Sequence, residues 1–346
     1  MMMDAAARAL RLLPAEEAHK ATINLLSRMG PLLPRAGQDD PVLAVSALGR
    51  TFSNPIGLAA GFDKNAQVPD AMLRLGFGFV ECGTVTPRPQ IGNPQPRLFR
   101  LPEDGAVINR MGFNNDGMEA AGRLLSARPR TGIVGINIGA NKDSSDRIAD
   151  YVTAFARLAG HADYVTANIS SPNTPGLRGL QNKDELRELL ARLTEARNHA
   201  AVSVPLLLKI APDLDDSAAD DIANVVLASG IEGLIVSNTT ISRDGLKSPL
   251  AKETGGLSGK PLFAPSTRLL RAMHQRLENK VTLIGVGGIS SGNEAYEKIR
   301  AGATLVQLYS ALALNGPSLI KRIKHDLAAC LKRDGFSSLA EAVGQG

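Results

Sequence analysis

The chain has 346 residues, of which 44% are hydrophobic and 21% charged, so it is long and apolar enough to bury a large core and is not a disordered protein. Its formal net charge of +5 permits an anionic partner, but Lys and Arg are spread along the chain and Trp is absent, so no nucleic-acid interface is expected. The two cysteines, Cys82 and Cys330, are far apart and match no disulfide framework or metal-ligand spacing, so no metal site is predicted.

The N-terminal residues 1–37 predict two short helices that are bounded by Pro14, Pro31 and Pro34. Acidic residues interrupt this segment, so no signal or transit peptide is expected. No run of about 18 apolar residues that could span a bilayer occurs in the chain.

Residues 15–29 predict an amphipathic helix with His19 inside its apolar arc. That face is formed by Ala18, Thr22, Ile23, Leu25, Leu26 and Met29. Such a helix commonly packs on its own domain, and a histidine on such a face is commonly a hydrogen-bonded core residue. The other interpretation is a helix pair that lies in a membrane interface or forms the mouth of a hydrophobic channel.

From about residue 42 the chain changes to short β-rich runs that alternate with helical stretches. Residues 43–46 and 51–53 predict a small hairpin around Gly49. Eight continuous apolar runs follow, each succeeded by a polar loop and a helical segment: 56–60, 78–82, 133–138, 164–169, 206–210, 233–236, 282–286 and 304–308.

Continuous apolar runs are typical of parallel strands that are covered on both faces. Eight such β/α units predict a closed (β/α)8 TIM barrel over residues 38–346, preceded by a helical extension over residues 1–37. A doubly wound open sheet is the second possibility, but the number of strands and the absence of a GxGxxG turn disfavour it.

The loop after the fourth apolar run, residues 168–178, is rich in Ser, Asn, Pro and Gly. Its two prolines stiffen the backbone, so the loop can present polar side chains to a small planar ligand, with Ser171 available to exchange a proton. An ordinary turn has the same composition. A functional site is favoured because every other predicted strand also ends in polar residues or glycine, and active sites of barrels lie at these strand ends.

Gly287-Gly288, which follows the seventh run, is a candidate phosphate cradle because glycines let backbone N–H groups approach an anion, aided by the helix that begins near Gly292. Ser310 follows the eighth run, and barrels commonly bind phosphate after their last two strands. The alternative is a tight turn between strand and helix.

Two lysines are candidate cations at the strand ends. Lys209 can stabilise negative charge on a reduced flavin or an enolate or form a Schiff base, unless it is a solvated surface charge. Lys64 suits a substrate carboxylate, with neutral amides around it from Asn109, Asn168, Asn173 and Asn238.

Five motifs, taken together, resemble the dihydroorotate dehydrogenase family: residues 109–115, 168–178, 237–240, 255–259 and 285–289. The resemblance extends from about Phe52 to Ala311 and therefore covers essentially the whole barrel. It implies an FMN-dependent barrel that oxidises (S)-dihydroorotate to orotate in de novo pyrimidine (UMP) biosynthesis. Dihydroorotate then loses a proton from C5 and a hydride from C6, and N5 of the flavin receives the hydride.

The residue type of the catalytic base distinguishes two classes of this family. The soluble class carries cysteine in the loop after the fourth strand, whereas this chain has Ser171, which together with an N-terminal helical extension is similar to the quinone-dependent class. The resemblance implies that a membrane quinone accepts the electrons near His19 and Arg100. It also implies peripheral association of residues 1–37 with the cytoplasmic face of the cell membrane.

The same resemblance implies the roles of the site residues, with Ser171 as the general base. An unassisted serine is a poor base, so a hydrogen-bond network, for example through a water and Thr174, must activate it. Residues 172–182 are expected to form a lid over the pocket. The residues expected to bind substrate are Lys64, Asn109, Arg110, Met111, Gly112, Phe113, Asn168, Asn173, Asn238 and Thr239. Those expected to bind FMN are Ala60, Gly61, Thr84, Asn137, Asn168, Lys209, Ser237, Gly259, Gly288, Tyr309 and Ser310.

Fold alone would leave other functions open. A tRNA-reducing flavin barrel is disfavoured by the Asn-rich pocket and the lack of a basic tract. An aldolase-like barrel would use Lys209 as a Schiff base, and a yellow, flavin-containing protein would exclude it. A catalytically silent scaffold that recruits a partner through its N-terminal helices is disfavoured by the complete set of polar strand ends.

Overall fold

Eight parallel strands close into a barrel in the computed structural model, which describes residues 2–200 and 203–346. In chain order the strands are β1 (Val45–Ala47), β2 (Arg50–Phe52), β3 (Ile56–Leu58), β4 (Phe79–Val85), β5 (Leu98–Leu101), β6 (Ala106–Asn109), β7 (Ile133–Ile138), β8 (Tyr164–Asn168), β9 (Leu206–Ile210), β10 (Gly233–Val236), β11 (Gly256–Gly259), β12 (Thr282–Val286) and β13 (Leu305–Leu308). Around the barrel the strands run in the order β10-β12-β13-β3-β4-β7-β8-β9, which confirms the predicted (β/α)8 fold class.

Helices connect the strands and cover the outside of the barrel. They are α1 (Met2–Leu10), α2 (Ala15–Met29), α3 (Pro69–Arg74), α4 (Gly117–Ala127), α5 (Arg147–Leu158), α6 (Lys183–His199), α7 (Asp216–Ser229), α8 (Phe263–Leu277), α9 (Gly292–Arg300), α10 (Ser310–Asn315), α11 (Ser318–Arg333) and α12 (Leu339–Ala342). Every residue of β4, β8, β9 and β10 is buried, because helices shield one face of these strands and the barrel interior shields the other.

The predicted strand positions agree closely with the structure. β7, β9, β10 and β12 have the predicted bounds, and the other four barrel strands overlap their predicted runs. The predicted hairpin is also confirmed, since β1 pairs antiparallel with β2.

A three-stranded antiparallel sheet, in the order β11-β6-β5, was not predicted from the sequence. Its strands have four residues each, which is too short to show a hydrophobic period, and Gly256 pairs with Asn109 across a long stretch of chain. The sheet has a small core of its own that consists of Leu101, Ala106, Ile108 and Leu257. It carries Asn109 to the mouth of the barrel.

The two predicted N-terminal helices are confirmed as α1 and α2. A bidentate ion pair holds α2 on the barrel, with Arg97 Nε and Nη2 donating to the carboxylate of Glu16 at 3.0 and 2.7 Å. Of the predicted apolar face, Ala18 and Ile23 are buried, whereas Leu25 remains 45% exposed. Within the described part of the chain, no helix combines the length and apolarity needed to cross a membrane.

Gly135→Ala is expected to destabilise the barrel, because a Cβ at this position in β7 would lie 2.1 Å from the ring of Tyr164. Overpacking of this kind costs about 1–3 kcal/mol of unfolding free energy, which urea titration followed by circular dichroism will measure. Gly160→Ala is the matched control, since a Cβ there meets no atom within 4 Å. Equal stability of the two variants would contradict the packing inside the barrel.

Candidate functional site

A cavity of about 870 Å³ opens at the C-terminal end of the barrel, between the strand ends and helices α1 and α2. Most of the predicted site residues line it, and they are His19, Ala60, Gly61, Lys64, Thr84, Arg100, Asn109, Met111, Gly112, Phe113, Asn168, Ser171, Asn173, Lys209, Ser237, Asn238, Thr239, Gly259, Gly288, Tyr309 and Ser310. The predicted residues therefore come together from almost every strand end of the barrel.

Arg110 and Asn137 are not among the residues that line this cavity. The guanidinium of Arg110 donates to Glu253 at 2.6 Å and lies over the ring of Phe99 at 4.6 Å from the centroid. Asn137 is fully buried beneath the cavity floor and hydrogen-bonds to Thr84, which does line the cavity.

Glu81, which sequence reasoning missed, lies fully buried inside the barrel. Its Oε2 accepts hydrogen bonds from Tyr164, Thr166 and Gln307 at 3.1, 3.3 and 2.9 Å, and its Oε1 accepts from Asn137 at 2.8 Å. The two oxygens of this side chain thus accept four hydrogen bonds from side chains around them. The signal in the sequence was a glutamate inside the run 78–82, since a glutamate is rarely fully buried without partners.

The amide side chains of the site form a directed chain that starts at this carboxylate. Asn137 gives its NH2 group to Glu81, so its carbonyl faces Thr84, whose hydroxyl donates to it at 2.6 Å. Asn168 then donates to the same hydroxyl at 3.0 Å, which leaves its carbonyl to accept from Asn238 at 3.2 Å. Because a carboxylate only accepts, Glu81 sets the orientation of both amides.

Lys209 ends β9 and is 5% exposed, with its ammonium at the cavity floor. Burial lowers the pKa of Lys209, and the negative charge of Glu81 partly offsets that effect. Among the described residues, Lys209 has no hydrogen-bond or ion-pair partner. An unpaired buried ammonium at a cavity wall is suited to a ligand that carries negative charge or carbonyl oxygens.

Lys64 lies beside the same cavity, where its ammonium donates to the carbonyl of Gly61 at 2.7 Å. Burial lowers the pKa of Lys64 to about 8, while Glu16 raises it and Arg97 lowers it. Lys64 is therefore mostly protonated at neutral pH, and it can pair with an anionic group of a ligand.

Ser171 is 4% exposed, and its Oγ accepts a hydrogen bond from the backbone N–H of Asn173 at 3.2 Å. Nearby in the loop, Thr174 Oγ1 is buried and has no hydrogen-bond partner among the described residues. Asn173 in turn donates to the carbonyl of Asn109 at 3.1 Å, so the loop is tied to β6.

Arg178 anchors the other half of this loop over the cavity. Its Nε donates to the Ser170 carbonyl at 3.1 Å, its Nη2 to the Thr239 carbonyl at 3.1 Å and its Nη1 to Asp213 at 2.9 Å. Residues 172–182, the segment predicted as a lid, are thus tied through Arg178 to Asp213 after β9 and to Thr239 after β10.

The glycine pair Gly287-Gly288 leaves backbone donors available at the opposite end of the cavity, since neither N–H bonds to a described residue. Gly288 has a φ of +79°, and a Cβ there would lie 2.5 Å from the Cβ of Phe263, so only glycine fits. The helix α9 begins at Gly292 as expected. Its first turn, however, is capped internally, since Ser291 Oγ accepts from the N–H of Glu294. The glycine backbone, rather than the start of α9, therefore offers the free donors at this end of the cavity.

His19 and Arg100 lie at the outer end of the cavity. His19 packs edge-on against Phe62 at 5.4 Å between ring centroids, and burial lowers its pKa to about 3, so it is neutral at physiological pH. Arg100 donates to the carbonyls of Arg11 and Leu13 at 2.8 and 3.1 Å and so holds the turn between α1 and α2. The surrounding wall is apolar and includes Met3, Ala6, Ala7, Leu10, Leu25, Leu26 and Met29.

The cavity therefore has a polar floor and an apolar mouth. The floor provides two ammonium groups, several oriented amides and the buried hydroxyls of Thr84, Ser171 and Ser237, whereas the mouth provides hydrocarbon. Such a site can hold a polar planar ligand and an anionic group in the barrel while an apolar molecule approaches from outside.

Comparison with known proteins points to one family. Residues 42–331 match the family model described as Dihydroorotate dehydrogenase. The chain is 58% identical over 338 residues to Dihydroorotate dehydrogenase (quinone) of Parvibaculum lavamentivorans, which covers 97% of this chain and 96% of that protein. It is 57% identical over 341 residues to the Rhodopseudomonas palustris protein of the same name, with 97% and 93% coverage. The crystal structure of DHODH from Eimeria tenella in complex with ferulenol is similar with a TM-score of 0.90 and 41% identity, and the match covers 95% of each chain.

Proposed function

The chain belongs to the dihydroorotate dehydrogenase family, and from this premise we propose that its barrel mouth oxidises dihydroorotate to orotate with FMN as cofactor, Ser171 as the base and a quinone as acceptor. The chain is an oxidoreductase of pyrimidine biosynthesis, as its quinone-dependent relatives are. The observation that carries the finer proposal is a single cavity that joins Ser171 and Lys64 to the unpaired ammonium of Lys209.

The donors of the site fit FMN. Lys209 offers a buried positive charge, the amides offer oriented donors and acceptors, and the glycine pair offers unsatisfied N–H groups for a phosphate. When bound, FMN supplies the two-electron redox chemistry that the side chains lack. The residues that would hold it are Ala60, Gly61, Thr84, Asn137, Asn168, Lys209, Ser237, Gly259, Gly288, Tyr309 and Ser310, with Asn137 acting through Thr84.

Dihydroorotate carries one carboxylate and a ring of alternating N–H and carbonyl groups. We assign the carboxylate to Lys64, whose ammonium is the cation next to the amide-rich wall. The ring groups would pair with the amides of Asn109, Asn168, Asn173 and Asn238 and with Thr239, while Met111, Gly112 and Phe113 line the same wall. Arg110 contacts Glu253 and Phe99, so its proposed role is to hold the loop of residues 111–113 in place.

Ser171 is proposed to remove the proton from C5 of the substrate. The N–H of Asn173 points at Ser171 Oγ and stabilises negative charge on that oxygen. A serine still needs a route for its own proton, and the unpaired buried hydroxyl of Thr174 is the group that we assign as the first relay.

Residues 1–37 are proposed as the extension that meets the membrane and the quinone, and residues 38–346 as the catalytic domain. Of the eleven large hydrophobic side chains that are exposed in the described residues, six lie in this extension: Met3, Leu12, Leu13, Leu25, Met29 and Leu32. Such a concentration of exposed hydrocarbon suits an interfacial helix pair. A quinone would then pass between α1 and α2 towards His19 and Arg100, from the cytoplasmic face of the cell membrane.

Ser171→Ala is expected to slow the chemical step by about 10²- to 10⁴-fold, because the proton on C5 then lacks its base. The measurement is the rate at which dihydroorotate bleaches the flavin absorbance in a stopped-flow experiment. Flavin content and orotate affinity should stay at the level of the unchanged protein, and Ser171→Cys should recover part of the rate. A normal rate in Ser171→Ala would refute the assignment of the base.

The flavin absorbance also tests which electron acceptor reoxidises the flavin. After bleaching by dihydroorotate, the absorbance should return on addition of a soluble quinone and should stay bleached with fumarate. Recovery with fumarate alone would contradict the quinone-dependent assignment, and a colourless protein would contradict the proposed cofactor.

Binding of orotate is expected to weaken above pH 8, because the pKa of Lys64 lies at about 8 and its ammonium loses its proton as the pH rises. The dissociation constant, measured from the flavin absorbance, should increase by up to about tenfold per pH unit. Lys64→Arg should abolish this rise up to pH 10, since a guanidinium stays protonated. An identical pH profile for both proteins would show that Lys64 does not hold the carboxylate.

Leu12→Asp is expected to reduce binding to vesicles of phosphatidylcholine and phosphatidylglycerol by about tenfold or more, because it places a charge in the apolar contact. Cosedimentation measures the bound fraction. Ile91→Asp is the matched control, since Leu12 and Ile91 are both 88% exposed but Ile91 lies outside the extension. Equal losses in both variants would refute docking through residues 1–37.

A further inference from the structure

Lys298, on α9, is fully buried although it takes no part in the site described above. Its ammonium donates to Ser266 Oγ at 2.6 Å and lies 5.2 Å from the centre of the Phe263 ring. No carboxylate of the described residues lies within ion-pair distance of this ammonium. A buried ammonium without a counter-ion is unfavourable, so its presence needs a compensating interaction.

The two partners of Lys298 form the wall behind the glycine pair. Ser266 Oγ lies 3.3 Å from the carbonyl oxygen of Gly287, and a Cβ on Gly287 would come within 2.7 Å of that same Oγ. Phe263 stands behind Gly288 in the same way, 2.5 Å from the position of a Cβ there. The hydroxyl of Ser266 therefore links the ammonium of Lys298 to the carbonyl of Gly287.

The surroundings of Lys298 favour an anion on the other side of that backbone. Burial lowers the pKa of Lys298 to about 7, and Glu297 and Glu294 raise it only in part. A dianion at the glycine pair would stabilise the protonated form, and low local polarity would make the attraction strong. The glycine N–H groups and the lysine would then act on the same charge from the two sides of the loop.

We propose that Lys298 is the counter-ion of the cofactor phosphate and makes the site select FMN over the unphosphorylated riboflavin. The proposal rests on the proposed function, since it takes FMN as the occupant of the cavity. It adds a positioning residue outside the cavity, which acts through Ser266 and the glycine pair and touches no reacting atom.

The test compares two ligands on the full chain after its flavin has been removed by dialysis against concentrated bromide. Flavin fluorescence quenching measures the dissociation constants of FMN and riboflavin for the unchanged protein and for Lys298→Gln, which keeps a donor for Ser266 but loses the charge. Lys298→Gln should bind FMN about tenfold or more weakly and riboflavin within about twofold of the unchanged protein. Lys298→Arg should retain most of the preference for FMN.

Lys324→Met is the matched control, because Lys324 is a buried lysine whose ammonium pairs with Asp39 at 2.5 Å and lies away from the cavity. It should leave the ratio of the two dissociation constants unchanged. Equal weakening of FMN and riboflavin binding in Lys298→Gln, or no weakening of either, would overturn the role of Lys298. Tight FMN binding by the unchanged protein would still leave the proposed function intact. Failure of the unchanged protein to bind FMN would overturn both.

Discussion

The carboxylate of Glu81 inside the barrel is the constraint on which the arrangement of the site depends. A carboxylate accepts hydrogen bonds and cannot donate them, so each amide or hydroxyl that reaches it has only one possible orientation. Asn137 donates to Glu81 and therefore accepts from Thr84, and the Thr84 hydroxyl in turn accepts from Asn168 at the cavity floor. The floor of the cavity therefore has fixed donors and acceptors before any ligand arrives, which is the preorganisation that oriented catalysis requires.

The two ends of the cavity differ in polarity because different parts of the chain build them. Barrel strand ends supply the ammonium groups and amides, whereas α1 and α2 supply hydrocarbon and a histidine that burial keeps neutral. The ion pair between Glu16 and Arg97 joins these two parts, with side-chain exposures of only 12% and 6%. Breaking such a buried pair would leave an uncompensated charge, so the helix pair is firmly seated on the barrel.

The barrel was predictable from sequence because each parallel strand is a continuous apolar run, and the polar residues after the runs had to meet at one edge. What the sequence did not show were interactions between residues far apart in the chain. In the three-stranded sheet, β11 pairs with β6 although Gly256 lies 147 residues after its partner Asn109 in the chain. The four partners of Glu81 come from three other strands, β7, β8 and β13, so no local pattern could reveal them.

The anchoring of the loop after β8 and the position of Ser171 are physically linked. Arg178 holds the carbonyl of Ser170, the residue next to Ser171, and also bonds to Thr239 and Asp213. Any movement of the Arg178 segment away from the barrel would break its bonds to Thr239 and Asp213. Ser171 Oγ accepts its hydrogen bond from Asn173 within the same loop, so the anchoring of this loop by Arg178 also fixes where the hydroxyl lies in the cavity.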